Sequence, residues 1–396
     1  MGLTRRTVAL AALVVALVLA GCGGEATSTS TGEETSWTNP AHLPFPGPGD
    51  VVEVTDWVSG GAEATQVSGK RILYRSTDIE NQPIVVSGTV FVPPGQAPEG
   101  GWPILAIGHG STGINVDCAP SLTPDLYGLL RLVRNYLRAG MAVTFADYSG
   151  LGTPSGPHPY LDPYAAARTV IDSVRAIRHV FPSMSSTWAT YGISQGGAAS
   201  WAADELAADY APELRLVGAV AQVPSTDKTP MVDLAAAGTL TLEQQGILQW
   251  LEESLARRHA DFDLNNYRQG GLAERWTDLS GCGRSNARER ALRQISASEF
   301  APSSPAAAER LRTLLQSMAL PRTRLSAPLY VLYGGADRFN APEWITAGIR
   351  KACELGGPIT ITYSPGAGHG NVDTSGIARY LADRVAGVPV RDDCRR

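Results

Sequence analysis

From residue 102 onward the chain alternates short, almost unbroken apolar runs with longer stretches whose apolar residues recur every three or four positions. Residues 103–107 and 141–146 are runs of the first kind. Between them Leu126, Leu129, Leu130, Val133 and Leu137 fall at helical spacing until Gly140 ends the pattern. Strand, helix, strand implies a parallel pair, because parallel neighbours need a long crossover and a helix is the usual one. The alternation continues with a helix over 163–181, carrying Val170, Val174, Ile177 and Phe181 on one face, then a strand over 187–193, a helix from Gly196 and a strand over 216–223. It resumes with a strand over 329–333, a helix over 342–353, a strand over 359–363 and a helix over 375–385. The pattern predicts an α/β fold: a mostly parallel central sheet with helices on both faces. Ahead of it, 51–58, 70–77 and 84–93 are β-rich stretches parted by turn residues, as antiparallel edge strands are.

Between 225 and 325 the strand pattern stops. Thr241 and Gln244 have capping-box spacing ahead of Ile247, Leu248, Leu251 and Leu255, and Ser304-Pro305 opens a helix carrying Leu311, Leu314, Leu315 and Met318. Residues 225–325 therefore read as an inserted helical cap or lid, and 49–224 with 326–396 as the core.

The first 48 residues differ in kind. Arg5 and Arg6 precede an apolar run over 8–20 that is too short for a membrane span, so 1–21 reads as a secretory leader. Leu19-Ala20-Gly21-Cys22 resembles a bacterial lipobox, which makes Cys22 the expected lipidation site and ties the protein to the outer side of the cell membrane. Paired arginines in Thr4-Arg5-Arg6-Thr7-Val8 are a partial match to twin-arginine export signals. Residues 22–48, rich in Ser, Thr, Gly, Glu and Pro, read as a disordered tether.

Composition narrows the function. With 43% hydrophobic and 18% charged residues, the 396-residue chain can bury a large core. Its net charge is −5, and −7 without a leader that holds Arg5 and Arg6, a poor balance for gripping phosphates, so no nucleic-acid partner is expected. Cys118, Cys282, Cys353 and Cys394 remain once Cys22 carries lipid. An exported even set without C-x-x-C spacing favours disulfides over a metal site. Of three connectivities, Cys353 with Cys394 closes the shortest C-terminal loop and leaves Cys118 with Cys282.

Gly192-Ile193-Ser194-Gln195-Gly196 sits where a strand meets a helix, the setting of a nucleophile elbow: a serine on a strained turn, with glycines on both sides letting neighbouring backbone approach. A serine hydroxyl attacks only when a base takes its proton, and the base needs a carboxylate to orient it. Of six histidines, His42 lies in the tether, His158 in a Pro-Gly loop, and His179 and His259 on helical stretches. His109 precedes Gly110 in the loop after the strand at 104–107. His369, in Gly366-Ala367-Gly368-His369-Gly370, follows the last strand on a loop of small residues and is the expected base. Asp337, leaving the strand before that, is the expected acid, with Glu343 as substitute. Backbone N–H groups of Gln195 and of Ser111, in His109-Gly110-Ser111-Thr112-Gly113, are the expected oxyanion donors, with Thr112 as second choice for the latter. No metal or cofactor is needed for such chemistry.

Three stretches in combination, Asp117-Cys118-Ala119-Pro120-Ser121, Asp147-Tyr148-Ser149-Gly150-Leu151-Gly152 and Gly192-Ile193-Ser194-Gln195-Gly196, resemble the secretory lipase family of α/β-hydrolases from about residue 40 to the C-terminus. The resemblance implies the α/β-hydrolase fold, Ser194 as nucleophile with Asp337 and His369, triacylglycerol or other acyl ester substrates, a helical cap over the acyl site, and the two disulfides. Many relatives place a proline four residues after the acid, whereas Arg338-Phe339-Asn340-Ala341 delays it here to Pro342. Two other functions fit the same residues: a serine peptidase or amidase, since a fold does not fix the leaving group, and a catalytically silent lipoprotein that binds lipid.

Overall fold

The computed structural model describes residues 47–60, 67–283 and 285–395. The leader, Cys22, His42 and nearly all of the tether lie outside them.

The elements run β1 (Val51–Val58), β2 (Ser68–Thr77), β3 (Pro83–Phe91), β4 (Trp102–Gly108), α1 (Leu130–Arg138), β5 (Ala142–Ala146), α2 (Pro163–Val180), β6 (Met184–Ile193), α3 (Gln195–Tyr210) and β7 (Arg215–Gln222). After β7 come α4 (Met231–Ala236), α5 (Leu242–Arg258), α6 (Gly270–Glu274), α7 (Asn286–Leu292) and α8 (Pro305–Gln316), with short 3-10 turns between them and no strand among the described residues. The chain closes with β8 (Leu329–Gly334), α9 (Pro342–Leu355), β9 (Ile359–Ser364) and α10 (Ile377–Val385).

The strands form one sheet in the order β1-β2-β3-β5-β4-β6-β7-β8-β9. β1, β2 and β3 pair antiparallel, β3 meets β5 antiparallel, and every pair from β5 across to β9 is parallel. Because β5 lies on one side of β4 and β6 on the other, the strand order reverses at β4. In open α/β sheets, ligands bind at the carboxyl ends of the strands beside such a reversal. The loops leaving β4 and β6 therefore border the predicted crevice.

Ile104, Trp188, Val170, Val174, Trp201 and Ile349 belong to the core on the face that carries α2, α3 and α9, while Leu105, Val143, Val220, Val133 and Leu381 pack with α1 and α10 on the other. Local signals set the helix starts. Asp162 caps α2 by accepting from the Tyr164 and Ala165 N–H groups ahead of Pro163. Thr241 and Gln244 form the reciprocal capping box of α5.

Two boundaries differ from the sequence pattern. Leu126, Tyr127 and Gly128 have φ of 54°, 52° and 84°, so α1 begins only at Leu130. The Thr123 hydroxyl accepts the Tyr127 N–H and competes with the helix there, while Leu126 still reaches the core. In the last helix the Asp373 carboxylate takes the Ser375 N–H, and α10 starts at Ile377.

The segment between β7 and β8 has its own apolar cluster, including Leu248, Leu251, Tyr267, Phe300 and Leu311, to which Ile114, Tyr160 and Leu161 also belong. α5 is buried nearly all round, Gln249 and Glu252 included. Cys118 is bonded to Cys282 and Cys353 to Cys394, with Cα separations of 5.1 and 5.4 Å. The first ties the loop after β4 to the helical segment, where Gly283 also donates to the Thr112 carbonyl at 2.6 Å. Among the described residues no helix is long and apolar enough to cross a membrane.

Candidate active site

β6 ends at Ile193, α3 begins at Gln195, and Ser194 between them has φ 60° and ψ −114°. Such a backbone costs about 1–3 kcal/mol for a residue with a Cβ, so its surroundings must enforce it. They do so by close approach. A Cβ on Gly192 would stand 1.8 Å from the Gly196 carbonyl oxygen, and one on Gly196 would stand 2.0 Å from that of Gly108. Only glycines let β4, β6 and α3 pack this tightly. The Ser194 N–H donates to the Gln222 carbonyl at 2.9 Å, and its own carbonyl accepts from Ala198, fixing the turn from both sides.

Asp337 leaves β8 in a turn. Its Oδ1 accepts the Phe339 and Asn340 N–H groups at 2.8 and 3.0 Å, and its Oδ2 meets His369 Nδ1 at 2.7 Å. Burial pushes this carboxyl up. The bond and charge of His369 and the two backbone donors outweigh it, and the net position is below the ordinary carboxylate range. Asp337 thus serves at once as a turn residue and as the partner of the imidazole, whereas Glu343, the substitute acid, lies in the first turn of α9. His369 is placed by the loop after β9, which folds back on the end of β8: Ala336 donates to the Ala367 carbonyl at 2.9 Å, and a Cβ on Gly334 would collide with that same oxygen. With the Nδ1 proton given to Asp337, the imidazole lone pair is on Nε2. The Phe339 ring lies against the imidazole, centroids 4.6 Å apart.

Ser194 and His369 line one cavity of about 180 Å³ together with Gly110, Ser111, Tyr160 and Phe339. Glu243, Ile247 and Trp250 of α5 and Arg288 of α7 line it as well, so the helical segment forms one wall. Gln195 is the first residue of α3, and its N–H is among those a helix cannot satisfy internally. Gly110 and Ser111 approach from the β4 side. A Cβ built on Gly110 would sit 3.8 Å from that of Ser194, and the Ser111 hydroxyl pairs with Tyr160 Oη at 2.7 Å. Thr112, the second choice, is buried outside this lining, and its Oγ1 has no hydrogen-bond partner among the described residues.

Two further histidines support these loops, His158 of the Pro-Gly loop and His109 of the expected oxyanion loop. His158 is buried. Its Nδ1–H donates to the Ser149 carbonyl at 2.7 Å, and its Nε2 accepts from Gln195 Nε2 at 3.1 Å. Burial drives this imidazole down to about 3, with His109 and Arg258 adding to the fall against the Ser149 bond. It is therefore neutral at working pH, the only state in which Nε2 can accept. His109, also buried and lowered by burial, stacks on Tyr148 at 4.1 Å, and the Tyr148 hydroxyl donates to the His109 carbonyl at 3.0 Å. Nothing in a Pro-Gly loop marks His158 beforehand; only proximity to Gln195 reveals it.

The remaining motif residues are structural. Asp147 accepts the Ser121 N–H at 2.8 Å and the Ser87 hydroxyl at 2.6 Å, stitching the loop after β5 to the loop carrying Cys118. Asp117, Cys118 and Cys282 are close enough together to suggest a metal site, but the two sulfurs are bonded to each other and offer no thiolate.

Residues 127–278 match the family model described as secretory lipase. A protein of Stachybotrys chartarum named a probable trichothecene esterase is 31% identical over 195 residues, 44% of this chain and 38% of that protein. A Mycobacterium tuberculosis protein named a probable inactive lipase is 30% identical over 178 residues, 41% of this chain and 38% of that one. The matched stretch thus spans about two fifths of the length of these curated relatives. Among solved structures, Candida antarctica lipase A in its closed state superposes with a TM-score of 0.68 at 17% identity, over 87% of this chain and 84% of that one. The fold is that of the α/β-hydrolases.

Proposed function

We propose that the chain is an exported serine carboxylic ester hydrolase of lipase type. Ser194 attacks the ester carbonyl while His369 takes its proton at Nε2. Asp337 holds the Nδ1–H and stabilises the imidazolium that forms. The Gln195 and Ser111 N–H groups receive the oxyanion, a stabilisation of which one donor supplies about 3 kcal/mol. His369 then passes the proton to the leaving alcohol, and water, activated by the same base, releases the acid from the acyl-Ser194 ester. Residues 225–325 serve as the cap, and an acyl ester such as triacylglycerol is the substrate. The two disulfides support a place outside the cytoplasm. Cys22 anchors the mature chain to the membrane through lipid.

One observation carries this reading: an imidazole already hydrogen-bonded to a buried carboxylate at 2.7 Å lines the same small cavity as a serine on a strained strand-to-helix turn. Wild type is expected to hydrolyse p-nitrophenyl esters in preference to anilides and to bind a fluorophosphonate covalently, and Ser194→Ala to lose both properties. The matching relative named as inactive favours a second reading, a silent lipid-binding protein. A folded wild type that binds fatty acid, leaves the fluorophosphonate unreacted and turns over no ester would establish that reading instead. For the anchor, Cys22→Ser is expected to free the protein from membranes or leave its leader uncut.

A further inference from the structure

Lys228 follows β7 by six residues, on the way into α4, and its side chain is buried. The ammonium donates to Asn340 Oδ1 and, at 3.3 Å, to the Phe339 carbonyl, and it lies 5.3 Å from the centre of the Trp344 ring. Its direct partners are thus neutral oxygens and an aromatic face, a costly setting for a buried charge unless a carboxylate lies nearby.

Phe339 and Asn340 are the two residues whose N–H groups Asp337 Oδ1 accepts. Asn340 also donates from Nδ2 to the Val223 carbonyl at 2.7 Å and accepts from the Ser225 hydroxyl at 3.2 Å. The turn that replaces the family's earlier proline is therefore pinned to the end of β7 through Asn340, with the ammonium beneath it. We propose that Lys228 is a positioning residue for the acid: its ammonium fixes the Phe339–Asn340 turn and adds a buried positive charge beside the Asp337–His369 pair. This rests on the triad reading above.

The charged groups around it agree. Asp337 and Asp227 are the carboxylates that act on the ammonium. Asp227 is turned to its own backbone, accepting the Thr229 N–H. On the acid turn, Arg338 pairs with Glu243 of α5 at 3.1 Å, and His369 lies on the far oxygen of Asp337. Glu343 opens α9 beside Trp344. Burial lowers Lys228 to about 7 against the pull of Asp337 and then Asp227, so the ammonium form prevails on the acid side of neutrality. There the base must stay neutral to work, and a nearby positive charge disfavours a second one on the imidazole.

The test is the pH profile of kcat/KM on a short p-nitrophenyl ester, whose acid side reports protonation of the base in the free enzyme. Lys228→Met, nearly isosteric and uncharged, is expected to move the acid-side midpoint to higher pH by roughly half a unit and to lower kcat about tenfold with KM nearly unchanged. A folded Lys228→Met with the wild-type midpoint overturns the proposal, because a merely structural lysine would change stability and leave the midpoint alone. Should that variant fail to fold, Lys228→Arg carries the test: with the charge kept, its midpoint is expected to stay at the wild-type value, and displacement overturns the proposal. A wild type that neither turns over esters nor reacts with a fluorophosphonate removes the triad reading and this inference with it. An active wild type with an unmoved midpoint in Lys228→Met removes this inference alone.

Discussion

His158 Nε2 accepts the side-chain N–H of Gln195, the residue that follows the proposed nucleophile, across 3.1 Å and 37 positions of sequence. His158 also accepts the Ser254 hydroxyl of α5 at its own carbonyl, at 2.6 Å, so one residue joins the start of α3 to the wall of the cavity. Removing the ring leaves the Gln195 amide without its acceptor in a buried site. His158→Ala is expected to cost about 1–3 kcal/mol of stability and to reduce kcat about tenfold with little change in KM. Thermal unfolding beside ester kinetics reads both; an unchanged kcat in a destabilised variant would leave His158 a packing residue only.

The same burial makes a statement about pH. His158 is lowered to about 3 in the folded chain, from an unfolded value of about 6.5. The unfolded state binds the proton first, so stability is fully present above about pH 6.5 and is lost as pH falls from there towards 3, by up to about 1.4 kcal/mol per pH unit. Denaturant titrations between pH 4 and 7 should show this slope, and His158→Gln, which cannot titrate, should flatten it by about one proton.

Phe339 lines not only the cavity that holds Ser194 but also two adjoining ones, of about 200 and 290 Å³, towards α7 and towards the loop after His369. Glu243 lines all three as well. Phe339→Ala is expected to raise the kcat/KM ratio of a bulky ester to a small one by about tenfold or more, the range that one apolar contact can discriminate. An unaltered ratio would mean that the cavities stay separate without the ring.

The two disulfides should differ in what they protect. Cys118 and Cys282 close 164 residues, and Cys353 and Cys394 close 41, which the loop-entropy account converts to about 5 and about 4 kcal/mol. Only the first packs on the loop that carries Ser111. The double variant Cys118→Ala/Cys282→Ala is expected to lose stability and kcat, because Gly113, two residues after the proposed oxyanion donor, packs on this bridge and the Thr112 carbonyl accepts from Gly283 beside it. Cys353→Ala/Cys394→Ala should lose stability alone. Equal kinetic losses in both would count against a positioning role for the first bridge.

The sheet and its flanking helices were legible because a strand buried on both faces is written as a continuous apolar run and a packed helix as a 3.6-residue period. Both are local signals, as are the caps at Thr241 and Ser304. Gly192 to Gly196 was legible for a related reason: strain at Ser194 requires small neighbours, and small neighbours are visible in a sequence. The first turn of α1 was misread because one hydroxyl, Thr123, outbids a helical hydrogen bond without disturbing the apolar spacing. α5 has no clean apolar face to read, since it is buried on nearly every side.

What the sequence by itself determined is the order of elements and the residue types able to do acyl transfer. The pairing of Asp337 with His369 was expected from their places after the last two strands; tertiary structure alone decided that His158 holds Gln195, that a lysine lies under the acid turn, and that α5 walls the cavity. Periodicity records which way a side chain faces within its own element. Contacts between residues dozens to hundreds of positions apart depend on how elements stack, and nothing in the local pattern of either partner encodes the other.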